Sequence, residues 1–224
     1  MARVVLIPTP VGNLEDITFR AVRMLKEADL IAAEDTRTSG ILMKHYQIGR
    51  PMLSLHTHNE HQRVEQLLDR VEAENLNLAV VSDAGTPGIS DPGFLIVRAA
   101  IARGIEVETL PGPTAFVPAL ISSGLPSDRF IFEGFLPVKK GRQTAIQRLL
   151  TETRTLILYE SPHRLLRTLQ DLALVLGEDR SVCVSREISK KFENHYRSTL
   201  AGAIAYYTEH QVKGEIVIVL AGSK

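Results

Sequence analysis

Leu78-Ala79-Val80-Val81-Ser82-Asp83-Ala84-Gly85-Thr86-Pro87-Gly88-Ile89-Ser90-Asp91-Pro92-Gly93 joins an apolar run to a loop holding three glycines and two prolines. The run reads as a buried strand. The loop reads as a ligand loop at its C-terminal end: glycine and proline leave the backbone bent and open to close approach, while two carboxylates and several hydroxyls remain free to hydrogen-bond. In an open α/β sheet, that end of the strands is where ligands bind.

Strand-like and helix-like segments alternate on both sides of this loop. Strands are expected at 4–7, 30–33, 53–55 and 105–109, with helices near 16–28, 38–46, 60–74 and 94–103 and another after Pro111-Gly112-Pro113. Helix 60–74 carries Val64, Leu67, Leu68 and Val71 on one face, and Asn59 with Gln62 reads as a capping-box variant. The pattern is that of a parallel, doubly wound sheet. The polar, punctuated segment 122–128 marks the expected boundary between an N-terminal lobe, 1–122, and a C-terminal lobe, 123–224. Beyond it, strands are expected at 130–134, 155–160, 181–187, 192–199 and 214–221, with helices near 142–151, 163–176 and 200–209. Ser161-Pro162 reads as an N-cap followed by a first-turn proline. Strands 181–187 and 192–199 lie too close for a crossover helix, so they should pair antiparallel and make the second sheet mixed.

Composition narrows the function classes. Lys plus Arg equals Asp plus Glu at 26 each, so any contact with nucleic acid must come from a local patch and not from the overall field. The lone cysteine, Cys183, sits in Ser181-Val182-Cys183-Val184-Ser185 as a small buried hydrophobe, in keeping with a reducing cytoplasm. No apolar run approaches the length of a membrane span, and no signal peptide is read at the start.

Polar clusters recur at expected strand ends: Pro8-Thr9-Pro10-Val11-Gly12-Asn13, Glu34-Asp35-Thr36-Arg37, the glycine-rich loop, and Pro111-Gly112-Pro113-Thr114-Ala115. Together they point to a ligand crevice at one sheet edge. Neither G-x-G-x-x-G nor G-x-x-x-x-G-K-[ST] is present, so no pyrophosphate cradle is expected. His56, His58 and His61 lack a completing ligand set, and no metal is expected. In the second half, Tyr159-Glu160-Ser161-Pro162-His163-Arg164 and Arg186-Glu187-Ile188-Ser189-Lys190-Lys191 place carboxylates beside cations. With Lys139-Lys140-Gly141-Arg142 they form a candidate basic surface for phosphates.

Seven stretches, PTPVGNLEDI (8–17), AEDTR (33–37), SDAGTPGISDPG (82–93), LPGPTA (110–115), EGFLP (133–137), YESPHR (159–164) and REISK (186–190), occur in order through the chain. In them the chain closely resembles the small-subunit ribosomal RNA methyltransferase branch of the tetrapyrrole methylase superfamily. The resemblance implies a two-lobed class III methyltransferase fold, with a parallel N-terminal sheet and a mixed C-terminal one. It further implies S-adenosylmethionine held between the lobes, a homodimer, and 2'-O-methylation of a cytidine ribose in the decoding region of 16S ribosomal RNA. The cofactor contacts it implies are Pro10, Val11, Ala84, Gly85, Thr86, Ile89, Thr114 and Ala115, with Tyr159, Glu160 and Ser189 from the second lobe. Where tetrapyrrole methylases carry a glycine-rich first loop, this chain reads PTPVGN, which favours the RNA branch.

A ribose 2'-hydroxyl is a poor nucleophile at neutral pH, so a positioned carboxylate or a lysine of lowered pKa is expected to take its proton. Asp35, Glu160 and Lys190 are the candidates, with an ion pair to Arg37 or Arg164 the competing role for the two carboxylates. Arg37, His163, Arg164, Arg186 and Lys191 are candidate phosphate or sugar contacts, and Tyr159 is a candidate for base stacking or for the core. The rival functions are a tetrapyrrole methyltransferase and a non-catalytic RNA- or nucleotide-binding module.

Overall fold

A computed structural model describes residues 2–56 and 59–223. They divide into two compact units, Met1–Thr114 and Ala115–Lys224. The division falls ahead of the expected 122/123 boundary because the helix Phe116–Ser123 packs Ala119 and Leu120 against Ile157, Val217 and Val219 of the second sheet. The punctuated segment 122–128 ends that helix and does not separate the units.

The first unit is built on five parallel strands, β1 (Arg3–Leu6), β2 (Leu30–Ala33), β3 (Met52–Ser54), β4 (Asn77–Val81) and β5 (Glu106–Thr109), in the order β3-β2-β4-β1-β5. Successive strand residues face opposite ways, and burial follows that alternation. Val5, Ile31, Ala79 and Val81 pack with Met24 and Leu25 of α1 (Phe19–Glu27) and Leu42 and Met43 of α2 (Thr36–His45). Val4, Leu6, Ala32, Leu78 and Val80 pack instead with Val64, Leu68 and Val71 of α3 (Glu60–Ala73) and Ile96 and Ala100 of α4 (Phe94–Ala102). Each fully buried aliphatic side chain contributes about 1.5–3 kcal/mol, and a one-residue register slip exchanges the two faces. Asn59 precedes α3 but makes no cap: its Oδ1 accepts from His56 N at 2.8 Å and its Nδ2 donates to the Ser54 carbonyl at 3.3 Å, closing the turn after β3.

The second unit opens with α5 (Phe116–Ser123) and carries a mixed sheet of β6 (Phe130–Phe135), β7 (Thr155–Glu160), β8 (Ser181–Arg186), β9 (Asn194–Thr199) and β10 (Ile216–Leu220), ordered β6-β7-β10-β8-β9. Only β6 and β7 run parallel, and β8 and β9 pair antiparallel as their short connection requires. One face, including Leu156, Leu158, Val184, Ile216 and Ile218, packs on α6 (Arg142–Arg148), α7 (Leu165–Leu176) and α8 (Leu200–Glu209). The other, with Ile157, Cys183, Val217 and Val219, packs on α5. Burial pushes the Cys183 thiol pKa up, which suits a core residue. Arg164, not Ser161, is the residue preceding α7, and it donates no side-chain cap; the Ser161 hydroxyl instead accepts from His163 N at 3.3 Å.

Candidate functional site

In the first unit the loops that follow β1, β4 and β5 are bonded to one another. Thr9 and Gly85 exchange two backbone hydrogen bonds of 2.9 Å each, a single antiparallel bridge between the 8–13 and 82–93 loops. The buried Thr9 hydroxyl also donates to the Ser82 carbonyl at 3.1 Å. The Thr86 hydroxyl donates to the Pro113 carbonyl at 3.0 Å and draws in the loop after β5. Gly93 closes the glycine-rich loop at φ 143°, where a Cβ would stand 2.9 Å from the Gly88 nitrogen, so the backbone approach needs glycine. The structure therefore gathers Val11, Gly85, Thr86 and Thr114 at one end of the parallel sheet, with Ala84 exposed and Pro10 and Ile89 half-buried beside them.

Carboxylates crowd the same edge. Asp83 Oδ1 accepts from Asp35 N at 3.1 Å, and Glu34 Oε2 accepts from Asp83 N at 3.3 Å. Asp35 caps α2 by accepting from Arg37 N at 2.8 Å and pairs with the Arg37 guanidinium at 2.6 Å. The Arg37 hydrogen bonds hold the Asp35 pKa down at about 2. Asp91 goes the other way: burial, with Glu34 and Asp83 nearby, pushes it up to about 7. Desolvation also raises Glu34 and Asp83. Glu34, which the sequence places in the polar cluster after β2 without a role of its own, is part of this carboxylate group.

In the second unit, strand register brings two motifs to one edge. Ile216 of β10 stands opposite Glu160 on one side and Arg186 on the other. Glu160 is 3% exposed and saturated: Ser161 N donates to it at 2.7 Å, the Thr168 hydroxyl at 2.6 Å, and Arg164 pairs with it at 2.7 Å. Thr168 in turn accepts from Arg142 at 2.8 Å, and Arg142 pairs with Asp171 at 2.7 Å. Arg142 is thus a buried brace and no part of a phosphate-binding surface. Its position in the first turn of α6, facing α7, takes it out of the basic run.

Lys190 is likewise committed, to Glu187 at 3.0 Å and Glu215 at 3.2 Å. Desolvation pulls its pKa down, but the two carboxylates outweigh this and the net shift is upward. A lysine held charged in this way differs from the low-pKa base expected from the sequence. Arg186 donates to the backbone carbonyls of Phe192 at 3.0 Å and Lys213 at 3.3 Å, so it closes the 187–193 loop. Arg37, His163 and Lys191 are exposed, Lys191 lying 5.6 Å from the Phe192 ring centroid. Tyr159 is half-buried, 5.0 Å edge-on to Phe132 and 5.6 Å from Phe135, in an aromatic group that also takes in Phe116.

The backbone marks both loops. Among the described residues, five other than glycine have positive φ; Gln47 and Asn75 follow helices, and the other three are Ser90, Glu187 and Ser189. Such conformations cost about 1–3 kcal/mol and persist where the surroundings enforce them. His56 and His61 join no group of three or more potential metal ligands among the described residues, and His58 lies outside them.

Comparison with known proteins agrees with the fold. The chain is 55% identical over 219 residues to ribosomal RNA small subunit methyltransferase I of Synechocystis sp., covering 97% of this chain and 78% of that protein. It is 42% identical to the protein of the same name from Thermotoga maritima, over the whole of both chains. Uroporphyrin-III C-methyltransferase from Thermus thermophilus, solved with S-adenosyl homocysteine, shares the fold with a TM-score of 0.66 at 21% identity, over 98% of this chain and 97% of that one. The sequence profile of the Tetrapyrrole (Corrin/Porphyrin) Methylases matches residues 3–204, and the chain belongs to that family.

Proposed function

We propose that this chain transfers a methyl group from S-adenosylmethionine to small-subunit ribosomal RNA, and that the acceptor is the 2'-hydroxyl of a cytidine in the decoding region of 16S ribosomal RNA. The observation that carries the reading is the identity of 42–55% with small-subunit methyltransferases I along nearly the whole chain. Likeness to uroporphyrin-III C-methyltransferase at 21% identity supports the fold alone and gives no reason to prefer a tetrapyrrole acceptor.

The donor set at the first-unit edge suits the cofactor. A sulfonium is a cation, and Glu34, Asp35, Asp83 and Asp91 stand at the edge where the small residues of these loops lie. The cofactor supplies an electrophilic methyl carbon. Pro10, Val11, Ala84, Gly85, Thr86, Ile89 and Thr114 are the proposed contacts in the first unit, and Ala115, Tyr159 and Ser189 those in the second. Because transfer removes the sulfonium charge, the acidic edge favours the donor over its product.

As the C–O bond forms, the S–C bond breaks and the hydroxyl proton must leave. Most of the acceleration can come from alignment. Of the three candidate proton acceptors, Glu160 is buried with three donors and Lys190 is charged; we assign the role to Asp35, whose low pKa depends on a solvent-exposed partner. Its partner Arg37 has a side chain 90% exposed and is placed to exchange Asp35 for an RNA phosphate, which would restore basicity to the carboxylate. Arg37, His163 and Lys191 are the proposed RNA contacts; Arg164 and Arg186 serve by holding Glu160 and the 187–193 loop.

The test is transfer of labelled methyl from S-adenosylmethionine to small subunits lacking ribose methylation, followed by nucleoside mapping. Labelled 2'-O-methylcytidine in the decoding region is expected. Label on a base, or none in that RNA despite cofactor binding, overturns the proposed acceptor. The cytoplasm and a homodimer belong to the same reading, the latter checked by sedimentation equilibrium. No helix among the described residues is long and apolar enough to cross a membrane.

A further inference from the structure

We infer that Glu193 is a positioning residue for the cofactor loop of the second unit, acting through the Ser189 amide and itself held by His195 and the buried hydroxyl of Ser185. The inference rests on the reading that Ser189 contacts S-adenosylmethionine, and it adds three residues to which neither motif nor family resemblance gives a role.

The geometry is a continuous hydrogen-bonded chain. Ser189 N donates to Glu193 Oε2 at 2.7 Å, His195 Nε2 meets Glu193 Oε1 at 2.8 Å, and Ser185 Oγ meets His195 Nδ1 at 2.8 Å. Ser185 is fully buried in β8, and strand pairing sets His195 of β9 directly opposite it. The chain therefore starts on a fixed point of the sheet and ends on the loop backbone. A carboxylate only accepts, so Nε2 of His195 carries a proton in either charge state of the ring. The Ser185 hydroxyl then donates to a bare Nδ1 or accepts from a protonated one, and the chain stays closed both ways.

What it holds is a strained turn. Ser189 sits at φ 66° and Glu187 at φ 53°, the left-handed region that side chains disfavour. Within the turn, Lys190 N donates to the Glu187 carbonyl at 3.0 Å and Glu193 N to the Lys190 carbonyl at 3.1 Å, but these bonds span the loop without tying it to the sheet. Glu193 supplies that tie on the β9 side. Glu187 supplies it on the β10 side, accepting from Glu215 N at 3.0 Å.

The experiment compares wild type, Glu193→Ala and Glu193→Gln by calorimetric titration with S-adenosylhomocysteine, steady-state methyl transfer, and amide exchange across residues 188–191. Glu193 is exposed, so both variants should fold. Expected for Glu193→Ala are faster exchange in that segment, a Kd for S-adenosylhomocysteine and a KM for the methyl donor each raised about tenfold, and kcat at saturation within about twofold. Glu193→Gln keeps a carbonyl oxygen for Ser189 N and should recover most of the affinity. Unchanged exchange together with unchanged affinity overturns the inference. Faster exchange with unchanged affinity overturns it by another route, showing that the loop is held by Glu193 but does not meet the cofactor. Absence of S-adenosylhomocysteine binding by the wild type would instead remove the functional reading beneath it.

Discussion

Loop 82–93 in the first unit takes its shape from residues that lack a side chain, whereas loop 187–193 in the second takes its shape from carboxylates. Gly85 and Gly93 let backbone meet backbone in the first. Glu187 and Glu193 pin backbone amides and a lysine in the second. The electrostatic outcome also differs: burial, with neighbouring carboxylates adding to it, raises the pKa values of Glu34, Asp83 and Asp91, while hydrogen bonds from backbone N–H groups lower those of Glu187 and Glu193. A glycine-built loop leaves surface for a ligand and gathers several carboxylates at one edge; a carboxylate-built loop spends its charge on its own backbone. That contrast can be broken at defined points.

The largest effect is expected from Gly93→Ala, whose Cβ meets immovable backbone at 2.9 Å from Gly88 N with φ at 143°. A loss of about 3 kcal/mol or more in denaturant unfolding, with loss of cofactor binding, is expected. Next comes Arg142→Ala, which strips the buried partner from Thr168 and Asp171. It should cost about 2–3 kcal/mol, read as a lowered denaturation midpoint, because the buried Thr168 hydroxyl and the half-buried Asp171 lose their charged partner. Gly214→Ala sharpens the comparison, since its φ of +92° disfavours a side chain and the added Cβ meets the Glu187 carboxyl, the far end of a side chain that can swing. About 1–2 kcal/mol is expected by the same measurement, plus faster exchange in loop 187–193.

The remaining effect is one of pH and is read as a slope. Burial raises Asp91 from 3.8 to about 7, so between those values the native state binds its proton more tightly than the unfolded chain does. Its contribution to stability therefore falls as pH rises through that window and is level above it. Asp91→Asn should remove the slope and be more stable than wild type at pH 8, and equal slopes in denaturation at pH 5 and pH 8 would sink the assignment. Asp35, lowered to about 2 chiefly by Arg37, contributes in the opposite sense, its stabilisation being lost only as pH falls below 3.8.

Much of this architecture was legible in the sequence, because strand and helix periods report burial directly. Leu78 through Val81 and Leu156 through Leu158 face alternate cores, as their unbroken apolar runs imply. The motif loops were placed correctly at strand ends by the glycines and prolines that shape them. Partnerships between side chains distant in sequence were not legible. Arg142 reads as a surface cation until α7 is packed beside it, and Ser185, Glu193 and His195 become one chain only when the β8–β9 register is known. Ser161 and Asn59 have capping chemistry, but each spends its oxygen on a nearer amide. A polar segment looks the same whether it links two bodies or ends a helix, and 122–128 ends α5.

In the second sheet the strand at the centre is made last. β10 lies between β7 and β8, and all five of its residues are buried. Until residue 220 has been synthesised, β7 and β8 present open edges and apolar faces with no partner between them. In the first sheet β1 waits in the same way, flanked by β4 and β5, which arrive only by residue 109. Both sheets thus close late and over long sequence separations, which makes for slow folding and a period of exposure to edge-to-edge association on the ribosome.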